Sequence, residues 1–373
     1  MENHIEFTKW VVAQGVVING IAAHRFPGRG LGIIAEKNLK AGEVILSVPI
    51  KALRTIHTVP TEISKHIRGK TTTHALLAAE LCLDTSPQFD LWRSVLPSVA
   101  DFEESLPLTW DQSLQDLLPA AAKTLLLNQK RKLKLDWASI STAFPELDYN
   151  DFLYKWMIVN TRTFYYLSSK AKKKPARDDC MALNPFADYF NHASHGCTVT
   201  FASSGYTITT EAPINSGSEV YISYGNHSND FLLAEYGFIM DSNAWDEISL
   251  DEYIIPKLSE KQKEHLKDAR VLGKYVLDRE TVCYRTQIVV RMLVLPLGRW
   301  RRFVDGNDDG EGDQGVVDGY LEGVLEEYRS DVQVKLEAIS SLDVGLDSQR
   351  DTLKRRWSQI DILLQAALDR LKR

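Results

Sequence analysis

A helical stretch set inside a strand-rich region constrains this chain more than any other feature. Residues 30–50, GLGIIAEKNLKAGEVILSVPI, read as two strands about a turn: Ile33 to Ala35 lead in, Leu39 to Gly42 turn the chain, and Val44 to Val48 lead out. Between 72 and 165 the pattern changes. HALLAAELCL, the leucine-rich residues 113–135 and FLYKWMIVNTRTF all carry helical spacing. Residues 181–240 return to short strands: Val199 to Phe201 and Tyr206 to Ile208 flank Ser203-Ser204-Gly205 as a hairpin, and EVYISYG is a further strand. Beyond 245 the pattern is helical again. In the last helix Leu353, Trp357, Ile360, Leu364, Ala367, Leu368 and Leu371 share one face. This is an α+β layout, a strand core split by a helical insert and followed by a helical domain. We place the first domain at 1–245, with the insert at about 65–155, and the second at 246–373.

A chain of 373 residues has room for two domains with sizeable cores. Its net charge of -6 does not suit a protein built mainly to coat nucleic acid. The four cysteines, Cys82, Cys180, Cys197 and Cys283, form no CxxC pair, so a zinc knuckle is unsupported. The apolar run after the N-terminus is broken by Gln14, Gly15, Asn19 and Gly20, and Glu2 and Glu6 precede it. It reads as a folded helix start rather than a secretory signal. No run is long enough to span a bilayer. The expectation is a cytosolic or nuclear protein, without membrane or direct nucleic-acid contact, and monomeric.

Several motifs have bland readings. GRGLG (28–32) lacks a dinucleotide loop's last glycine, its place taken by Ile33, and a strand follows it rather than a helix. Its glycines still let backbone approach another group closely. DGNDDGEGDQG (305–315) imitates a calcium loop, but Val316 stands where the bidentate glutamate is required, so it reads as a mobile acidic loop. KAKKKPAR (170–177) reads as a nuclear signal, a contact for an acidic partner or a solvated loop. DYFNHASHGC (188–197) is the densest cluster. His192, His195 and Cys197 are metal-ligand types without the HExxH spacing of a metalloprotease, and Cys197 as a nucleophile would need distant partners.

Three segments taken in order change the weight of these readings: GRGLG, DYFNH, and YISYG followed by NDFLLAEYGF (229–238). The ordered set resembles the SET-domain methyltransferases, and most of all their Rubisco large-subunit methyltransferase-like branch. That branch has a SET core split by a helical insert and followed by an all-α substrate-binding domain. Phe7, Trp10 and Gly15 also look like its opening. The resemblance covers most of the chain and is weak in the insert and in 300–345.

The resemblance implies the methyl donor S-adenosyl-L-methionine, no metal, and a protein substrate: a ribosomal protein, translation factor, histone or metabolic enzyme. By matching position, Gly30, Leu31 and Gly32 would lie along the donor with their backbone. Arg162, in NTRTF, would meet its carboxylate. Asn191 and His192 would line its adenosyl end, and Phe238 its adenine. Tyr224 would close the methyl-transfer channel, with Tyr236 as the second channel tyrosine. Asp188 would brace the turn, while His195 carries no role and Cys197 reads as a small strand residue.

The chemistry suits these residue types. An amine displaces methyl from a sulfonium, so the enzyme must align the reactants, an entropic gain of up to roughly 7–11 kcal/mol. It must also deliver lysine as the neutral amine, although its free pKa is about 10.4. Tyrosine offers an aromatic wall with a hydroxyl that donates or accepts. The implied activity is protein-lysine N-methylation. Histidine methylation competes, since one member of this branch, the actin-histidine enzyme, modifies histidine; that enzyme departs at the second tyrosine, and Tyr236, kept here, favours lysine. A non-catalytic SET-like scaffold and a zinc hydrolase are further alternatives.

Overall fold

A computed structural model describes residues 1–27, 30–67, 71–167 and 179–372. Gly28 and Arg29 of GRGLG, and KAKKKPAR, lie outside the described residues. The chain divides into two compact units. One comprises Met1–Phe102 and Asn128–Asn226; the other comprises Glu103–Leu127 and His227–Arg373. Part of the insert, Glu103–Leu127, thus lies with the C-terminal helices, and so does the segment from His227 up to residue 245.

The first unit is built on strands in chain order: β1 (Val17–Ile18), β2 (Ile21–Phe26), β3 (Gly30–Ala35), β4 (Val44–Pro49), β5 (Arg54–Thr55), β6 (Thr163–Tyr165), β7 (Met181–Leu183), β8 (Asn191–Ala202), β9 (Gly205–Thr209) and β10 (Glu219–Ile222). Seven form one sheet in the order β1-β4-β9-β8-β10-β3-β2, and β5-β7-β6 form a second. The expected β8–β9 hairpin is present, with Phe201 opposite Tyr206 and Val199 opposite Ile208. β3 and β4 are both strands but do not pair. β3 is held by β2 and β10, and β4 by β1 and β9. The sequence between β3 and β4 is thus a crossover within the sheet rather than a hairpin turn. β3 buries Ile33 and Ala35 on one face, and β4 buries Leu46 and Val48 on one face with Ile45 beside a register shift.

Helices pack on this frame where apolar spacing directs them. Glu2–Ala13 buries Phe7 and Val11, one turn apart. Thr73–Leu83 is apolar nearly all round, and it is buried nearly all round. Tyr149–Arg162 starts at Asp148, whose carboxylate accepts from the N–H groups of Asn150 and Asp151, and buries Phe152, Trp156 and Val159.

The second unit is helical apart from the two-stranded ladder β11 (Glu247–Ser249) with β12 (Val276–Asp278). Its core joins Trp110, Leu114 and Leu118 to Leu353, Trp357, Ile360 and Leu364 of the last helix, Asp347–Leu371. A buried ion cluster lies within it. Arg356 Nε donates to Asp230 at 2.6 Å and Nη1 to Asp246 at 2.7 Å, with Arg356 fully out of solvent. The acidic segment 305–315 is pinned rather than loose. Arg291 donates to the Gly310 carbonyl at 3.1 Å, and Arg299 pairs with the buried Asp313 at 2.7 Å. Most of the run is exposed, as a solvated loop would be, with Gly310 and Asp313 its buried points.

Candidate active site

The segment Asn184–His192 carries the candidate residues Asn191 and His192. Phe186 holds φ 68 and ψ -39, a region residues with a Cβ seldom occupy. Such a conformation costs on the order of 1–3 kcal/mol and persists where surrounding packing over-determines it. Here the Phe186 ring is fully buried and meets Tyr189 edge-on at 5.5 Å. The turn presents two backbone carbonyls, that of Asp188 to Arg162 and that of Phe190 to Tyr224.

Arg162 closes the helix Tyr149–Arg162, where a cation suits the dipole, and its Nη1 donates to the Asp188 carbonyl at 2.7 Å. The Asp188 carboxyl oxygen Oδ1 is cut off from solvent. Burial raises this carboxyl to about pKa 6, against the opposing pull of the Arg162 guanidinium. Asp188 therefore meets Arg162 through both its backbone and its field.

Beyond the turn, β8 pairs with β10 in an irregular register. Tyr221 lies opposite Asn191 and the next residue, Ile222, opposite Cys197, so His192 to Gly196 arch out of the ladder. The arch delivers His192 to Tyr224. The Tyr224 N–H donates to His192 Nδ1 at 3.0 Å, the Tyr224 hydroxyl donates to the Phe190 carbonyl at 2.6 Å, and the two rings lie 5.0 Å apart.

Asn191 turns the other way, toward β3. Its Nδ2 donates to the Leu31 carbonyl at 3.0 Å and to Glu219 Oε1 at 2.7 Å. A Cβ on Gly32 would stand 2.7 Å from both Asn191 Nδ2 and Glu219 Oε1, so any other residue there must displace one of them. Gly30 has φ 75, with open space where a side chain would be. The β3 backbone is therefore open at Gly30 and covered at Gly32 by Asn191 and Glu219.

The first unit thus brings together Asn191 with Leu31 and Gly32, His192 with Tyr224, and Arg162 with the Asp188 turn. Tyr236 and Phe238 belong to the second unit. Tyr236 ends the helix Asn229–Tyr236, and Gly237 terminates it at φ 81. Burial, with Glu235 adding to it, pushes the Tyr236 hydroxyl up to about 12. Phe238 lies 6.4 Å from the Tyr236 ring.

His195 is exposed. Cys197 is buried, and desolvation with a smaller contribution from Glu211 pushes its thiol up to about 11, the reverse of an activated nucleophile. Among the described residues no three His, Cys, Asp or Glu side chains converge where a metal ion could sit. Sequence reasoning missed Glu219. Its signal was a carboxylate opening an otherwise apolar strand, EVYI. It also missed the Phe190 carbonyl, for which no sequence signal exists.

Residues 30–225 match the family model described as the SET domain, and residues 246–370 match the ribosomal lysine N-methyltransferase 2 C-terminal domain. The chain belongs to the SET-domain family, and its C-terminal match sets it in the Rubisco large-subunit methyltransferase-like branch. It is 25% identical over 354 residues to ribosomal lysine N-methyltransferase set11 of Schizosaccharomyces pombe, covering 90% of each chain. It is 25% identical over 379 residues to SET domain-containing protein 4 of Mus musculus, covering 94% of this chain and 86% of that one. The structure of Rubisco LSMT bound to sinefungin and monomethyllysine shares the fold, with a TM-score of 0.68 at 18% identity over 100% of this chain and 92% of that chain.

Proposed function

We infer that this chain is an S-adenosylmethionine-dependent protein-lysine N-methyltransferase with a ribosomal protein as its substrate. Family membership and the C-terminal domain match support lysine transfer. The name of the Schizosaccharomyces pombe relative and the description of the C-terminal family support the ribosomal substrate.

The residues of the first unit fit the methyl donor. The guanidinium of Arg162 has five N–H groups and suits a carboxylate, with Nη1 already steadied by the Asp188 carbonyl. Asn191 offers an acceptor oxygen. Gly30 leaves open backbone beside Leu31, and Gly32 lets Asn191 and Glu219 close in on the strand. These residues, with His192, would hold the donor, which when bound supplies a methyl group on a sulfonium sulfur.

The observation that carries the reading is the double hold on Tyr224, through its N–H on His192 and its hydroxyl on the Phe190 carbonyl. A phenol that donates its hydrogen to a carbonyl keeps acceptor capacity for the N–H of an incoming amine. Tyr224 would thereby orient the lysine amine without itself attacking the methyl group. The roles given to Tyr236 and Phe238 rest on the motif EYGF.

Calorimetry with S-adenosylhomocysteine, followed by labelled-methyl transfer into purified ribosomes with mass-spectrometric mapping, tests the reading. Binding and a methyllysine in a ribosomal protein are expected. Methylhistidine as the product, or no binding, would overturn it.

A further inference from the structure

We propose that Glu219 is a positioning residue that sets which end of the Asn191 amide is offered to the methyl donor. The proposal rests on the reading of Asn191 as a donor-lining residue.

A carboxamide has a donor end and an acceptor end of nearly the same shape. A single neighbour often leaves its orientation open. Here two neighbours close it. The Leu31 carbonyl at 3.0 Å can only accept, and so can the Glu219 carboxylate oxygen at 2.7 Å. Both therefore require Nδ2, and turning the amide over would set Oδ1 against two acceptors, one of them charged.

Glu219 is itself held. Its other oxygen, Oε2, accepts from the Tyr221 hydroxyl at 2.6 Å, two residues along the same face of β10. The carboxylate is thus fixed by Tyr221 on one side and by Asn191 on the other. Gly32 permits the arrangement, since a Cβ there would fall 2.7 Å from both Asn191 Nδ2 and Glu219 Oε1.

Both N–H groups of the Asn191 amide are thereby committed to protein acceptors. What remains is Oδ1, which recognises an N–H donor: an ammonium group or an exocyclic amine of the ligand. Glu219 gives the pocket this polarity without belonging to any of the segments by which the site is recognised in sequence.

The test compares wild type, Glu219→Leu, Glu219→Gln and Tyr221→Phe by calorimetry, with melting curves alongside. The probes are S-adenosylhomocysteine and 5′-methylthioadenosine, which keeps the adenine amine and lacks the ammonium group. Glu219→Leu is expected to weaken S-adenosylhomocysteine by about tenfold or more. Glu219→Gln, which retains an acceptor oxygen for Nδ2, should stay within about threefold of wild type. Tyr221→Phe keeps the carboxylate but loosens it, and should fall between the two, so a poorly folded Leu variant would not remove the test. Weakening confined to S-adenosylhomocysteine identifies the ammonium as the recognised donor, and equal weakening of both ligands, with Gln rescue, identifies the adenine amine; either supports the proposal. Wild-type affinity in folded Glu219→Leu and Tyr221→Phe proteins would overturn it. Failure of the wild type to bind either ligand would instead overturn the reading of the pocket.

Discussion

The backbone N–H of Tyr224 donates to Nδ1 of His192 at 3.0 Å. An N–H can only donate, so Nδ1 carries no proton and the ring hydrogen resides on Nε2. Histidine acts here as a strut that sets the backbone of the residue expected to meet the amine. The Tyr224 hydroxyl is tied down separately by the Phe190 carbonyl. Tyr224→Phe keeps the ring and the N–H contact and deletes only the hydroxyl. Methyl transfer should fall roughly 100-fold, by analogy with removing one preorganised polar group from an active site. Stability should change by only about 1 kcal/mol. Labelled-methyl transfer and a thermal melt on the same sample check both; unchanged turnover removes Tyr224 from the role.

Gly32→Ala should act on the donor site through crowding. The new methyl group must displace Asn191 or Glu219, each 2.7 Å from its position. Overpacking of this kind costs about 1–3 kcal/mol of stability. Affinity for S-adenosylhomocysteine should drop along with it, by about tenfold if Asn191 is the side chain that gives way. Calorimetry and urea denaturation read the two effects.

Asp188 predicts a pH signature. Its carboxyl is raised in the folded state from 3.8 to about 6, mainly by burial. Between those values the folded protein retains the proton that the unfolded chain has released. This term therefore favours folding fully below about pH 4, is lost as pH rises toward 6, and is flat above that. Its size is on the order of 3 kcal/mol. Asp188→Asn should flatten the profile across this window, so variant and wild type differ more at pH 7 than at pH 4. Urea midpoints at several pH values decide it, and a constant difference would contradict the assignment.

In the second unit, Arg356 is fully buried between Asp230 and Asp246. Arg356→Met should destabilise by about 3–5 kcal/mol, because two buried carboxylates lose their cation. Adding Asp230→Asn and Asp246→Asn to that variant should restore much of the loss. Failure of the triple variant to recover would mean that hydrogen-bond geometry, rather than charge balance, holds the cluster.

Tyr236→Phe tests the role that the motif EYGF assigns. Because burial holds the hydroxyl up at about 12, it stays protonated throughout the working pH range and acts only as a neutral hydrogen-bonding group. Its loss should reduce methyl transfer by roughly tenfold or more and alter the distribution of mono-, di- and trimethyllysine. Mass spectrometry of the product separates these outcomes. A variant with wild-type rate and product pattern would dismiss Tyr236.

The type of most elements was legible in the sequence, and the motifs there nominated the candidate site residues. Alternation marked β8 and β9, spacing of three and four marked the final helix, the ordered segments nominated Asn191, His192 and Tyr224, and NTRTF nominated Arg162. These signals are local, since each depends on residues a few positions apart. Tertiary structure decided which strands are neighbours. β3 and β4 are both evident in sequence, yet β3 lies beside β10 and β4 beside β9, because pairing depends on partners far along the chain. It also decided polarity within the site. Glu219 reaches Asn191, and the carbonyls of Asp188 and Phe190 reach Arg162 and Tyr224, across 26 to 34 residues of chain. Backbone carbonyls are the same at every position and so carry no sequence signal. Only folding makes particular ones into ligands for particular side chains.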